Sequence, residues 1–283
     1  MKFVRWGRAG EEKPAILDSK GCLRDLSDFL PDIIPKLLTA DLCAKLQALK
    51  LTDLPLVDAS MRLGSCIGPI GKIICVGFNS QAHKQELGLA KTKNRTEPIL
   101  FMKPTSSLAG PHDPIGHSRH TQKLDWEAEL AIIIGQQGKY IPLEDAKQYI
   151  FGYACFNDLT ERYLQFETED TQFTKGKCFD NSATLGPYLV TKDEIVDSGD
   201  LSIKLWVNGT LRQDFNSSDY IFNETQVIHF VSQYFTLYPG DVISMGSGPG
   251  SACAWGNQFL QPGDEIVLQI NGLGEQRQTI VAE

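Results

Sequence analysis

The chain has 283 residues, with 35 acidic and 27 basic side chains and a formal net charge of −8. At roughly 150 residues per domain this is one large domain or two unequal ones, long enough to bury a sizeable core. A hydrophobic fraction of 42% beside 22% charged residues excludes disorder, collagen and coiled coil, and the acidic balance without a basic run argues against a nucleic-acid binder.

Residues 2 to 27 alternate short apolar pieces with turn residues at Gly7 to Gly10 and Asp18 to Gly21, the pattern of a small hairpin-rich sheet. From Pro35, the residues Leu37, Leu38, Leu42, Leu46 and Leu49 recur at helical spacing and predict a short amphipathic helix. The glycines and proline of Met61 to Gly71 mark a linker between a small N-terminal domain (1–66) and a larger one (71–283). Beyond it the chain reads as strands at Ile73 to Phe78, Glu129 to Gly135, Tyr149 to Phe156, Leu185 to Val190, Leu201 to Val207, Asp241 to Met245 and Glu265 to Ile270. Helices are expected only at Leu159 to Thr168 and around Glu224 to Tyr234, which favours an α+β fold over a doubly wound sheet. Apolar runs such as Ala131 to Ile134 fall far short of the ~20 residues that cross a bilayer, and Met1 to Gly10 has no apolar core for a signal peptide. A cytoplasmic protein without a membrane span is the expectation. The seven cysteines are odd in number and contain no Cys-x-x-Cys pair, so they encode neither a disulfide framework nor a zinc site.

Four segments carry candidate chemistry. In Asp125-Trp126-Glu127-Ala128-Glu129-Leu130, a strand begun by Glu127 places both glutamates on one face, with Cα atoms ~7 Å apart. Like charges entering a buried strand oppose their own ionisation unless a cation sits between them, and a hard divalent ion resolves the conflict. The plain alternative is a solvated strand end. Asp158 closes the strand Tyr149 to Phe156; it either caps the helix that follows, with Glu161 completing a capping box, or serves as a third metal ligand. If the segment after Phe78 is helical, His83 and Glu86 share a face, and the carboxylate can hold the imidazole as a general base; a surface pair is the alternative. Gly246-Ser247-Gly248-Pro249-Gly250 follows a strand, but no second βαβ half fits in the remaining chain, which rules out a dinucleotide fold. Its backbone amides suit a carboxylate, or it is a plain tight turn. His112, His117 and His120 lack the frame of a zinc site.

Taken in order, these segments resemble the fumarylacetoacetate hydrolase family. The resemblance is carried by Lys72-Ile-Ile-Cys-Val-Gly-Phe-Asn79 with His83 and Glu86, Phe101-Met-Lys-Pro-Thr-Ser-Ser107, Asp125-Trp-Glu-Ala-Glu-Leu130, Phe151-Gly-Tyr-Ala-Cys-Phe-Asn-Asp158, Lys175-Gly-Lys-Cys-Phe-Asp180, Leu185-Gly-Pro-Tyr-Leu-Val-Thr191 and Pro239-Gly-Asp-Val-Ile243. The two ends of the chain look closest to the branch holding 2,4-diketo-3-deoxy-L-rhamnonate hydrolases, which also contains chains labelled ureidoglycolate lyase or 2-hydroxyhepta-2,4-diene-1,7-dioate isomerase.

The resemblance implies a mixed β-roll or sandwich catalytic domain with a small N-terminal α+β domain, and a homodimer. It places a metal triad on Glu127, Glu129 and Asp158, holding Mg²⁺ or Mn²⁺, with Ca²⁺ a further candidate. It places a catalytic His83–Glu86 pair on a lid, Lys177 where water is oriented or developing charge is stabilised, and Arg162 as a substrate-side cation. The family's usual Thr-Gly-Thr-Pro-Pro-Gly loop, which receives the substrate carboxylate, reads Met245-Gly-Ser-Gly-Pro-Gly250 here. Gly246 and Ser247 thereby become substrate-binding candidates, and glycine at 248 in place of proline implies a less rigid loop. The implied activity is metal-dependent hydrolysis of a C–C bond in a 2,4-dioxo acid of the acylpyruvate type, giving pyruvate and a second acid. Alternatives on the same site are oxaloacetate decarboxylation, isomerisation or hydration of an unsaturated 2-oxo acid, and non-catalytic binding of metal and an oxo acid.

Overall fold

The computed structural model describes residues 1–86 and 96–283; Gly88 and the lysine-rich stretch after it lie outside the described residues. A large mixed sheet runs from its N-terminal edge through Leu23–Asp25, Lys13–Leu17, Lys2–Trp6, Leu189–Thr191, Ile150–Asp158, Ala128–Ile134, Val242–Ser244 and Ile73–Gly77 to Ile99–Lys103. The short strand Ala183–Leu185 joins Ile150–Asp158 beyond Leu189–Thr191. A second sheet is ordered Thr210–Asn216, Ser202–Val207, Glu265–Ile270, Gly274–Ala282 and Ile115–His117. No helix among the described residues is long and apolar enough to cross a membrane.

Ala128–Ile134 and Ile150–Asp158 are buried along their whole lengths, as near-continuous apolar runs in a sheet covered on both faces should be. Leu130, Ile132, Tyr153 and Cys155 pack with Ile203, Leu205 and Leu268 of the second sheet. Ala131, Ile133, Ala154 and Phe156 turn to the opposite face, onto Phe3, Ile16, Leu46 and Ile67. The N-terminal strands therefore share a sheet and a core with the larger region, through the pairing Phe3↔Leu189.

Several sequence expectations shift. The helix expected at Leu159 to Thr168 is shorter and of another kind: Thr160–Glu161 pairs with Leu124–Asp125 as a strand, and only Tyr163–Glu167 after it is helical, as a π-helical turn. Glu161 completes no capping box, because its carboxylate accepts from the backbone N–H groups of Gln122, Lys123 and Leu164 at 3.0, 2.5 and 2.5 Å. The strand expected at Leu185 to Val190 breaks at Gly186-Pro187, where proline offers no N–H to a ladder. The first helix starts late, at Ala40–Gln47, where the Thr39 hydroxyl accepts from the Leu42 N–H at 3.1 Å.

Candidate active site

Strand register assembles the carboxylates. Phe156 lies across from Glu129, and the Asp158 N–H donates to the Glu127 carbonyl at 2.9 Å, so Asp158 sits opposite Glu127 on the face that also carries Glu129. One oxygen from each of the three, all buried, falls within 4.8 Å of the others. The Ser244 hydroxyl and the Gly246 N–H, the latter at 3.0 Å, both donate to Glu129 Oε2. Gly246, expected at the substrate, thus commits its amide to an acidic side chain.

Cations surround the cluster. Lys177 Nζ lies 2.5 Å from Glu127 Oε2 and 2.7 Å from Asp158 Oδ2. Lys103 Nζ, fully buried, lies 2.6 Å from Asp158 Oδ1 and also donates to the carbonyls of Lys177 and Leu159. Arg162 bridges Asp125 at 2.8 Å and Glu127 at 2.7 Å, and donates to the Gln165 side chain at 3.1 Å. Asp158 is therefore no helix cap; its carboxylate is consumed by two lysines. Lys103, Asp125 and Ser244 were not singled out by sequence reasoning. Ser244 follows the expected strand register, whereas a lysine in the apolar strand Ile99–Lys103 is the one local signal for Lys103.

Burial and the charges of Asp158 and Glu127 push the Glu129 carboxyl well above the usual carboxylate range. Burial opposes the charge of Glu127 too, but Lys177 and Arg162 outweigh it and hold that carboxyl low. Burial likewise disfavours the Lys177 ammonium, and Asp158 and Glu127 more than restore it. Three cations against four carboxylates leave the cluster of Asp125, Glu127, Glu129, Asp158, Lys103, Arg162 and Lys177 short of positive charge, and Glu129 bears the deficit. Hard oxygen donors, close convergence and an uncompensated carboxyl fit a divalent cation.

His83 closes the pocket from another side. Its Nδ1 lies 2.9 Å from Glu86 Oε2, and the second oxygen of Glu86 accepts from the Gly250 N–H at 2.7 Å. The helix Gln81–Glu86 is itself tied down: Asp219 accepts from the Ala82 N–H, and the Ser80 hydroxyl accepts from the His83 N–H at 3.0 Å. A cavity of about 150 Å³ connects His83, Glu127, Glu129, Arg162, Lys177 and Ser247.

The loop 246–250 is held by several hydrogen bonds from outside it. Gln213, buried in the second sheet, donates to Ser247 Oγ and to the carbonyls of Gly248 and Pro249 at 2.9, 3.0 and 3.3 Å. Trp126 Nε1 donates to the Gly250 carbonyl at 3.0 Å. A Cβ at position 248 would come 2.3 Å from the Phe215 ring, so that ring fills the space a proline here would need. The looser loop expected from the sequence is replaced by one clamped from beneath.

Residues 72–281 match the family described as fumarylacetoacetate (FAA) hydrolase C-terminal. The chain belongs to the fumarylacetoacetate hydrolase family. It is an enzyme, a hydrolase of that family. A relative named 2,4-didehydro-3-deoxy-L-rhamnonate hydrolase, from Sphingomonas sp., is 40% identical over 99% of this chain and 96% of its own. A solved structure of a fumarylacetoacetate hydrolase from psychrophilic Exiguobacterium antarcticum superposes with a TM-score of 0.83 and 33% identity, covering 100% of both chains. A maleylpyruvate hydrolase from Sphingobium sp. SYK-6, crystallised with manganese(II) and pyruvate, superposes with a TM-score of 0.83 and 28% identity, covering 100% of this chain and 99% of that one.

Proposed function

We propose that this fumarylacetoacetate hydrolase family enzyme cleaves a C–C bond in a 2,4-dioxo acid, releasing pyruvate and a second carboxylic acid. The observation that carries the reading is a buried carboxylate triad, two of whose members, Glu127 and Glu129, line one pocket with a histidine already oriented by a glutamate. The manganese and pyruvate held by the maleylpyruvate hydrolase, and the 2,4-dioxo acid in the name of the rhamnonate hydrolase, support it.

Glu127, Glu129 and Asp158 would hold Mg²⁺ or Mn²⁺. When bound, such an ion supplies Lewis-acid charge at the 2-oxo carboxylate end of the substrate. His83, with Nδ1 donating to Glu86, keeps Nε2 free to take a proton from water as that water adds to the 4-keto carbon. The bond between carbons 3 and 4 then breaks, the new hydroxyl-bearing carbon leaves as a carboxylic acid, and the electron pair passes to the pyruvate fragment as an enolate. Lys177 meets that charge with its ammonium, and Arg162 faces the substrate from the same pocket. Ser247, which lines the same pocket, contributes to carboxylate binding. The assembly proposed is a homodimer, which light scattering of the purified protein checks.

The deciding experiment follows the enol absorbance of acylpyruvates with chelator-treated protein, with and without added Mg²⁺ or Mn²⁺, and quantifies both products. Metal-dependent release of pyruvate with one equivalent of a second acid is expected. Glu129→Ala should lose metal and activity together, whereas His83→Ala should keep metal and lose turnover. Full activity in either variant, or carbon dioxide in place of a second acid, refutes the hydrolytic reading.

A further inference from the structure

The pocket has a polar inner end and a wall of a different kind leading outward. Lys177 Nζ lies 5.1 Å from the centroid of the Phe101 ring. Phe101 in turn packs against Phe173 at 5.4 Å with the rings tilted by 40°, and Phe173 meets Phe166 edge-on at 5.9 Å and 86°. Three rings therefore form a continuous row from the ion-paired lysine to the mouth, where Phe166 is 44% exposed. Their meeting is built in by sequence. Phe166 stands on the π-helical turn Tyr163–Glu167, and Phe173 begins the helix Phe173–Lys177. The two pack so closely that a Cβ on Gly176 would fall 2.6 Å from the Gln165 side chain, so only glycine lets the rings touch. A π turn is a rare geometry that recurs at functional sites.

Charge along the same path points the same way. Among the described residues lining the pocket, the cations are Arg162 and Lys177, both facing carboxylates, and the one histidine, His83, is held by Glu86. The outermost charged group is Glu167, bound by Lys123 at 2.6 and 2.5 Å. Among the described residues of the pocket lining, a second carboxylate on the far end of a substrate would find no uncommitted cation, and would meet aromatic rings beside a glutamate. Desolvating an unpaired charge against such a wall is unfavourable, whereas an apolar group gains by the area it removes from water.

We infer that the acyl end of the substrate is uncharged and apolar, of aromatic or bulky aliphatic type, and that it is received by the Phe101–Phe173–Phe166 row. This rests on the hydrolase reading above and narrows it to a substrate class: monocarboxylate acylpyruvates, with pyruvate at the carboxylate triad and the apolar acyl group along the rings.

The test compares kcat/KM for benzoylpyruvate, acetylpyruvate and fumarylpyruvate with the metal-loaded enzyme. Benzoylpyruvate should exceed acetylpyruvate at least about tenfold, the ratio set by burying a ring-sized apolar group, and fumarylpyruvate should be the poorest of the three. Phe173→Ala, and independently the more exposed variant Phe166→Ala, which leaves Phe101 and Phe173 in place, should each lower benzoylpyruvate kcat/KM more than that of acetylpyruvate. Pyruvate release that is fastest from fumarylpyruvate, or equal for all three, overturns this inference and leaves the hydrolase reading standing. Release from none of them overturns both.

Discussion

Lys103→Met tests whether the buried cation behind the triad is structural in the way its contacts imply. Methionine keeps the length and apolar stem of lysine but removes the ammonium that pairs with Asp158 at 2.6 Å and caps the carbonyls of Lys177 and Leu159. Removing one partner of a fully buried pair costs about 3–5 kcal/mol, because the other charge stays buried without compensation. Here Lys177 still reaches the second Asp158 oxygen at 2.7 Å, which places the cost near the low end, about 3 kcal/mol. For a chain of this size that lowers Tm by about 5 °C. Urea unfolding with chelator present measures it, with Lys103→Met, Asp158→Asn and the double variant forming a cycle. The double variant should lose less than the sum of the singles, since neutralising both partners leaves no orphaned charge. A Lys103→Met protein destabilised by less than about 1 kcal/mol, or strictly additive singles, would show that solvent or rearrangement already compensates Asp158.

Metal binding should release protons, since ions bind deprotonated carboxylates and burial beside Asp158 and Glu127 raises the Glu129 carboxyl well above its usual range in the metal-free protein. Calorimetry in two buffers of different ionisation enthalpy counts them, and binding without proton release refutes the shift. The sign for stability follows: with the folded pKa raised, Glu129 contributes a stabilisation that is full below the unfolded-state pKa and lost as pH rises through the folded one. The metal-free protein should therefore gain more from added Mg²⁺ at pH 8 than at pH 5, which thermal melts at both values check. Glu86→Gln should cut kcat by about 10²–10⁴-fold with metal affinity retained, because it weakens the partner that orients the His83 ring; an unchanged kcat assigns the proton transfer elsewhere. Gly248→Ala should lower activity through the Phe215 ring 2.3 Å from the new Cβ, and Phe215→Leu should partly restore it; equal activity in the single variant would show that the loop yields.

Local pattern was enough for much of the scaffold. The strand Glu265–Ile270 and the helix Glu224–Tyr234 fall where periodicity places them, the latter opened by an Asn223 cap with Gln226 completing the box. The period of two in Glu127-x-Glu129 states which face both carboxylates share before any partner strand is known. Patterning failed where a polar side chain takes a buried position. Thr210–Asn216 and Gly274–Ala282 carry Gln213, Gln276 and Gln278 inward, and these pay their desolvation with hydrogen bonds to distant backbone, such as Gln276 to the Cys155 and Gly186 carbonyls at 3.0 and 2.9 Å.

What pairing across the sheet decided lay beyond any window of residues. Local sequence suited Asp158 better to capping a helix than to ligating a metal, and it is strand register, together with lysines 55 residues before it and 19 after it in the chain, that sets its carboxylate opposite Glu127. The clamp on the 246–250 loop comes from Gln213 and Phe215 in another sheet, and the aromatic row needs a π turn and a glycine contact that no hydrophobic period encodes. Composition and periodicity record which face a side chain takes. Which charge balances which in a buried site depends on contacts between segments far apart in sequence, and only the folded chain brings those together.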